Sequence, residues 1–186
     1  MGFMDSFKAG IKKASEEAKA KAEKEKQEKE EYKRRALENE RKMELYRASR
    51  DDKKYQSLRG SWIDSNSKIE ESYSVINSLN AFGDTAGDKF LEQCEKHISL
   101  SKKIEPYWKK YEVNISWGGI YKRIAMAYEK RGDYYNSALS CVRAKNEGFT
   151  NDGTNGGYRG RLARMIKKGK FEPTEEMQKI LLEIFE

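Results

Sequence analysis

One histidine, two cysteines and two glycine-rich runs are the places where this 186-residue sequence could do chemistry. His97 lies beside Glu95 and Lys96 in a helical pattern. A nucleophile, base and orienting acid cannot be assembled around one imidazole, so a hydrogen-bonded or solvated histidine is expected. Cys94 and Cys141 are too few for a disulfide framework and lack the paired spacing of a zinc site. Both fall in helical patterns, where a buried thiol packs and stays inert. The glycine runs invite a phosphate-loop reading, because backbone N–H groups at a helix start bind anions. GDTAGDKF at 83–90 has the wrong spacing and no Ser or Thr after Lys89. GTNGGYRG at 153–160 has no lysine in place and follows no apolar strand. No catalytic residue, metal ligand, cofactor or small-molecule substrate is therefore expected, and the chain reads as a non-enzyme.

Two clusters could instead recognise a surface. From Tyr158 to Lys170 there are six cations and no acid, which makes Arg159, Arg161, Arg164, Lys167 and Lys168 candidate anion-binding residues. On a helix, Arg161, Arg164 and Lys168 share a face beside Leu162, Met165 and Ile166. Such a stripe can touch phosphates or an acidic protein, and binding to nucleic acid would be sequence-blind and salt-sensitive. The plainer reading, a solvated outer face of a capping helix, is favoured. At the other end Phe3, Met4, Phe7 and Ile11, continued by Ala14 and Ala18, recur at three- and four-residue steps among Lys8, Lys12, Lys13, Glu16 and Glu17. That amphipathic face suits an anionic membrane surface, a coiled-coil seam, or docking on a partner or on the protein's own domain. Self-association or docking is favoured, with membrane contact next. Met1, Gly2 and Ser6 also match the myristoylation pattern, which has meaning only in a eukaryotic cell.

The elements that must position these residues are helical. Two prolines, Pro106 and Pro173, leave long stretches without an obligatory breaker, and abundant Lys, Glu and Ala favour helix. Hydrophobic residues at 37% and charged residues at 37% mean that part of the chain lies outside any core. The net charge of +7 leans toward anionic partners, with 18 basic against 13 acidic residues in the first 60 positions. No apolar run approaches the roughly 20 residues that cross a bilayer. No signal-peptide pattern opens the sequence, so a cytoplasmic protein is expected, peripheral to a membrane or within a larger assembly.

From Lys19 to Arg35 the chain is nearly all Lys, Glu, Gln and Ala, with Tyr32 its only large side chain. A solvated helix held by pairs such as Glu25 with Lys29, or a fraying one, is expected there. Leu37, Met43, Leu45 and Tyr46 restore some apolar character, and the folded part is expected to open near residue 60. A helix through Ile63, Ile69, Tyr73, Ile76 and Leu79 should end in the turn-forming stretch 80–87. The next carries Phe90, Cys94 and Ile98 and should stop before Pro106. Ser116 is a plausible N-cap for a helix over about 117–130, and a turn at 131–133 leads to a second over about 134–147, closed by Gly148. A basic helix at about 158–168 and a last helix after Pro173 complete the chain.

The hairpin IYKRIAMAYEKRGDYYNSALSCVRAKNEGF resembles a tetratricopeptide repeat. The family's positions fall on Tyr121, on Ile124 with Ala125, on Tyr128, on Gly132, on Tyr134, and on Ser137 and Ala144. Cys141 stands where the family usually has a bulky residue, and Phe149 where proline is common. KFLEQCEKHISLSKK resembles the second helix of an earlier, degenerate unit, with Cys94 matching Cys141. The stretch carrying Asp152 to Thr154, Gly156, Gly157, Gly160, Arg161, Ala163 and Arg164 resembles segments of uncharacterised bacterial proteins and brings no function with it.

The expected fold is all-α: a helical extension over 1–59, amphipathic and then highly charged, followed by a small tetratricopeptide-like domain with capping helices over 60–186. The resemblance implies a concave surface that binds another protein or a peptide, with Trp117, Tyr121, Lys122, Tyr128 and Asn136 as candidate groove residues. A non-enzymatic adaptor or scaffold is the leading expectation. A basic nucleic-acid-associated protein is the second, and a peripheral membrane protein the third.

Overall fold

A computed structural model of the chain describes the backbone of residues 3–183, and the side chains of Glu16, Lys19 and residues 21–183. Every regular element among the described residues is a helix, so the all-α class holds. The chain divides into two compact units, Met1–Asp51 and Asp52–Glu186.

The first unit is one helix, α1 (Phe3–Asp51), of 49 residues. All residues from 21 to 44 are exposed. Its described ion pairs run one turn apart along its surface, from Lys24 to Glu28, Arg35 to Glu31 and Lys42 to Glu38. Helix propensity and these pairs are its visible supports.

The second unit opens at Asp52, whose side chain accepts from the Tyr55 backbone N–H at 2.9 Å and so caps α2 (Lys53–Leu79). The Tyr111 hydroxyl donates to the same carboxylate at 2.7 Å. Together these bonds tie the start of α2 to the end of α3 (Thr85–Lys110). Asn80 leaves α2 in the left-handed region with φ 50°, and a short 3-10 turn at Ala81–Gly83 leads into α3.

One expectation is corrected here: α3 does not stop before Pro106 but runs through it to Lys110. A proline inside a helix removes one hydrogen bond and crowds the preceding turn, at a cost of about 3 kcal/mol. Ile104 and Trp108, buried on either side of it, hold the last turn in the core.

The remaining helices form α4 (Gly119–Lys130), α5 (Tyr134–Asn146), α6 (Gly157–Gly169) and α7 (Glu175–Leu182). Consecutive helices pack as hairpins, α2 on α3, α4 on α5 and α6 on α7, with α3 against α4 and α5 against α6 joining them. Between α4 and α5 the fully buried Ala125, Ser137, Ala138 and Ala144 leave no bulk at the seam, so the Ser137 hydroxyl reaches the Ala125 carbonyl at 2.8 Å. Gly148, with φ 83°, ends α5: its N–H bonds Lys145 and that of Phe149 bonds Ala144, a Schellman closure.

Candidate functional site

A cleft of about 310 Å³ opens between α2 and α4. Trp62, Asn66 and Glu70 come from successive turns of α2, one face at four-residue spacing. His97 of α3 forms part of the wall, and Ser116, Trp117, Gly119, Lys122 and Arg123 close the other side. The volume falls at the lower end of ligand clefts, which run from about 300 to 1,000 Å³.

Its aromatic walls are fixed from behind. The Trp62 indole donates to the Ser101 hydroxyl at 2.8 Å, lies tilted against His97 at 5.2 Å and meets Trp108 edge-on at 5.3 Å. Opposite, Trp117 meets Phe149 edge-on at 4.9 Å and Tyr121 at 5.9 Å. Gly118 makes that contact possible, because a Cβ there would lie 2.6 Å from the Phe149 ring. Gly118, and not the expected Ser116, is the N-cap of α4, which has no side-chain capping bond. Ser116 instead faces the cleft.

The polar groups differ in how committed they are. Arg123 forms a bidentate pair with Glu70 and lies 4.3 Å over the Tyr73 ring, so its charge is engaged within the wall. Lys122 pairs with no acid among the described residues. His97 is buried, its Nδ1 lies 3.0 Å from the Ser65 hydroxyl, and burial holds its pKa below the ordinary 6.5, so the ring is neutral at neutral pH. What converges is a set of donors and acceptors between aromatic walls.

The groove residues read from the sequence are not gathered in one place. Trp117 and Lys122 line the cleft. Tyr121 is buried beneath Phe149 and the Arg143 guanidinium, and burial pushes its phenol up to about 12. Tyr128 is half-buried, while Asn136 donates to the Asp133 carboxylate that caps α5. Trp62, Asn66, Glu70 and His97 escaped the sequence reading. Their signal was the spacing 62, 66, 70 on an otherwise weakly patterned helix.

The basic stretch is largely taken up by its own chain. Asp152 is buried and turns its loop by accepting from the Thr154 N–H at 2.9 Å and from the Thr154 hydroxyl at 2.6 Å. The Arg161 Nε donates to its other oxygen at 2.6 Å, and a second Arg161 nitrogen reaches Glu129 at 3.1 Å. Lys168 adds a second cation to Glu129. Burial alone would raise the Asp152 pKa, but the bonds from Thr154 and Arg161 outweigh it and hold the carboxyl below its ordinary value. Arg164 donates to the Thr154 hydroxyl and the Asn155 carbonyl, and Arg159 to the Leu181 carbonyl.

The glycines of this segment serve the same loop. Gly157 has φ 55° with the Thr150 carbonyl against the site of its missing Cβ, and a Cβ at Gly160 would meet the Asn155 carbonyl at 2.6 Å. Arg161, Arg164 and these glycines thus hold the 150–157 loop. Arg164, Lys167 and Lys168 stay exposed, and of the predicted five only Arg161 is buried.

Cys94 and Cys141 are fully buried, and desolvation pushes both thiols up to about 12. Phe3, Met4, Phe7 and Ile11 have side chains outside the described residues. No described helix is long and apolar enough to cross a membrane. Comparison of the chain with protein-family models, with curated proteins and with solved structures finds no match.

Proposed function

We propose that this protein is a non-enzymatic interaction module, a tetratricopeptide-like adaptor whose second unit captures a peptide or protein segment in the α2/α4 cleft and whose long charged helix tethers it to an assembly. The observation that carries this reading is the cleft itself. It lies between the first helices of two successive hairpins, and its walls are aromatics held by a hydrogen bond and by ring contacts. Rigid aromatic walls offer contact area at little entropic cost, the property of binding hot spots. The sequential stacking of hairpins and the small-residue seam between α4 and α5 are the features that support the repeat-like reading.

The basic-helix alternative draws less support, since four of its five cations already bond within the fold. A selection of displayed peptides on the immobilised full chain tests the proposal. Enriched peptides should be lost when Asn66→Arg or Lys122→Glu changes the exposed rim of the cleft. Peptides that bind both variants as well as the wild type would place recognition elsewhere.

A further inference from the structure

The exposed face of α1 carries a pattern of its own. Tyr32, Ala36, Asn39, Met43 and Tyr46 follow one another at alternating four- and three-residue steps, which places them along one side of the helix. Three of them are large and open to solvent, Tyr32 at 75%, Met43 at 52% and Tyr46 at 58%. The same spacing extends to Lys29 and Glu25 on one side and to Arg50 on the other. A solvated helix has no use for a straight row of aromatic and thioether side chains.

We propose that α1 pairs antiparallel with α1 of a second copy of this chain along this seam. The charges decide the direction. A parallel, in-register pair would set Glu25 on Glu25, Lys29 on Lys29 and Arg50 on Arg50 within the seam, three like-charge layers. An antiparallel pair centred between Leu37 and Glu38 sets Glu25 against Arg50, the Lys29 ammonium against the Tyr46 ring, Tyr32 against the Met43 sulfur, and Ala36 against Asn39. The layers then join a charge to its complement, a cation to an aromatic ring, a thioether to an aromatic ring, and two small side chains at the centre.

Beside the seam, Lys33 of one copy faces Glu40 of the other. Arg35 and Lys42, which would otherwise oppose each other, are already neutralised by Glu31 and Glu38 of their own helix. Lys26 and Arg47 remain as a facing like pair. The pairing leaves the two Asp51 residues about 40 Å apart along the seam, at 1.5 Å per residue. A bivalent protein results, in which two second units can engage one repetitive or clustered partner with avidity. This deepens the tether half of the proposed function, and its test does not involve the cleft.

Sedimentation of the full chain should give twice 21.7 kDa. Met43→Glu should weaken the dimer by roughly tenfold or more, and Lys26→Glu should tighten it. Orientation is read by disulfide trapping: Tyr32→Cys mixed with Met43→Cys should cross-link as a heterodimer, while neither variant links well to itself. The native thiols are buried and protonated and so stay silent. A wild type that stays at 21.7 kDa at its highest soluble concentration would overturn the pairing. Tyr32→Cys linking to itself as readily as to Met43→Cys would overturn its direction.

Discussion

Leu37 and Leu162 are the same side chain in opposite circumstances. Leu37 projects from α1 at 67% exposure, whereas Leu162 on α6 is fully buried among the core residues of the second unit. The contrast runs through the whole molecule. From residue 21 to 44 α1 buries nothing, and its charges meet one another in water, where each pair contributes little. In the second unit one ion pair is interior: Arg161 and Asp152 are both buried, and Asp152 also holds its loop through Thr154. One region presents a surface and depends on propensity, while the other depends on burial and presents a cleft. Substitutions should therefore be severe in one and mild in the other.

The largest expected effect is from Asp152→Ala, which leaves Arg161 buried with only Glu129 and unties Thr154. Removing one partner of a buried pair costs about 3–5 kcal/mol, so urea unfolding should shift by that amount. A loss below about 1 kcal/mol would mean that the 150–157 loop is held by other contacts. Next comes the paired test of the two leucines. Leu162→Ala should cost about 2–5 kcal/mol through a cavity, whereas Leu37→Ala should stay within about 0.5 kcal/mol. Similar values at both positions would erase the distinction between the units.

A smaller effect concerns acid. The Asp52 pKa is lowered from its ordinary 3.8, first by the Tyr55 backbone bond and then by the Tyr111 hydroxyl. A depressed folded value means that its contribution is complete above 3.8 and is lost as pH falls through the folded value. The melting temperatures of the wild type and Asp52→Asn should differ at neutral pH and converge in acid. A gap that persists unchanged would remove Asp52 from the acid response. The smallest effect is expected of Glu38→Gln, which breaks the exposed pair with Lys42. The helical signal and the pairing of α1 at low salt should register it slightly, and the unfolding midpoint of the second unit should not move.

The helix inventory was legible because periodicity and breakers are local. Gly83 and Asp84 mark the α2/α3 turn, which is shorter than the expected 80–87 because Gly87 lies within α3, and Gly132 marks the α4/α5 turn. Pro106 misled, since whether a helix survives a proline depends on how deeply its flanks are buried, and Ile104 and Trp108 are buried by distant helices. The cleft was half legible. Trp117 and Lys122 could be named from a repeat-like pattern, but Trp62 and His97 lie 35 residues apart in sequence and meet only through the packing of α2 on α3. The basic stretch shows the reverse problem. Its composition suggested an open cationic face, and the acids that consume it, Glu129 and Asp152, stand outside the stretch.

The most direct test of the cleft as the binding surface is a titration of the isotopically labelled full chain with a peptide selected on it, followed through the tryptophan indole and backbone N–H signals. The expected result is that Trp62, Trp117 and the first turn of α4 move together while α7 and α1 stay in place. Shifts centred on α6, or spread along α1 with Trp62 and Trp117 unmoved, would contradict it.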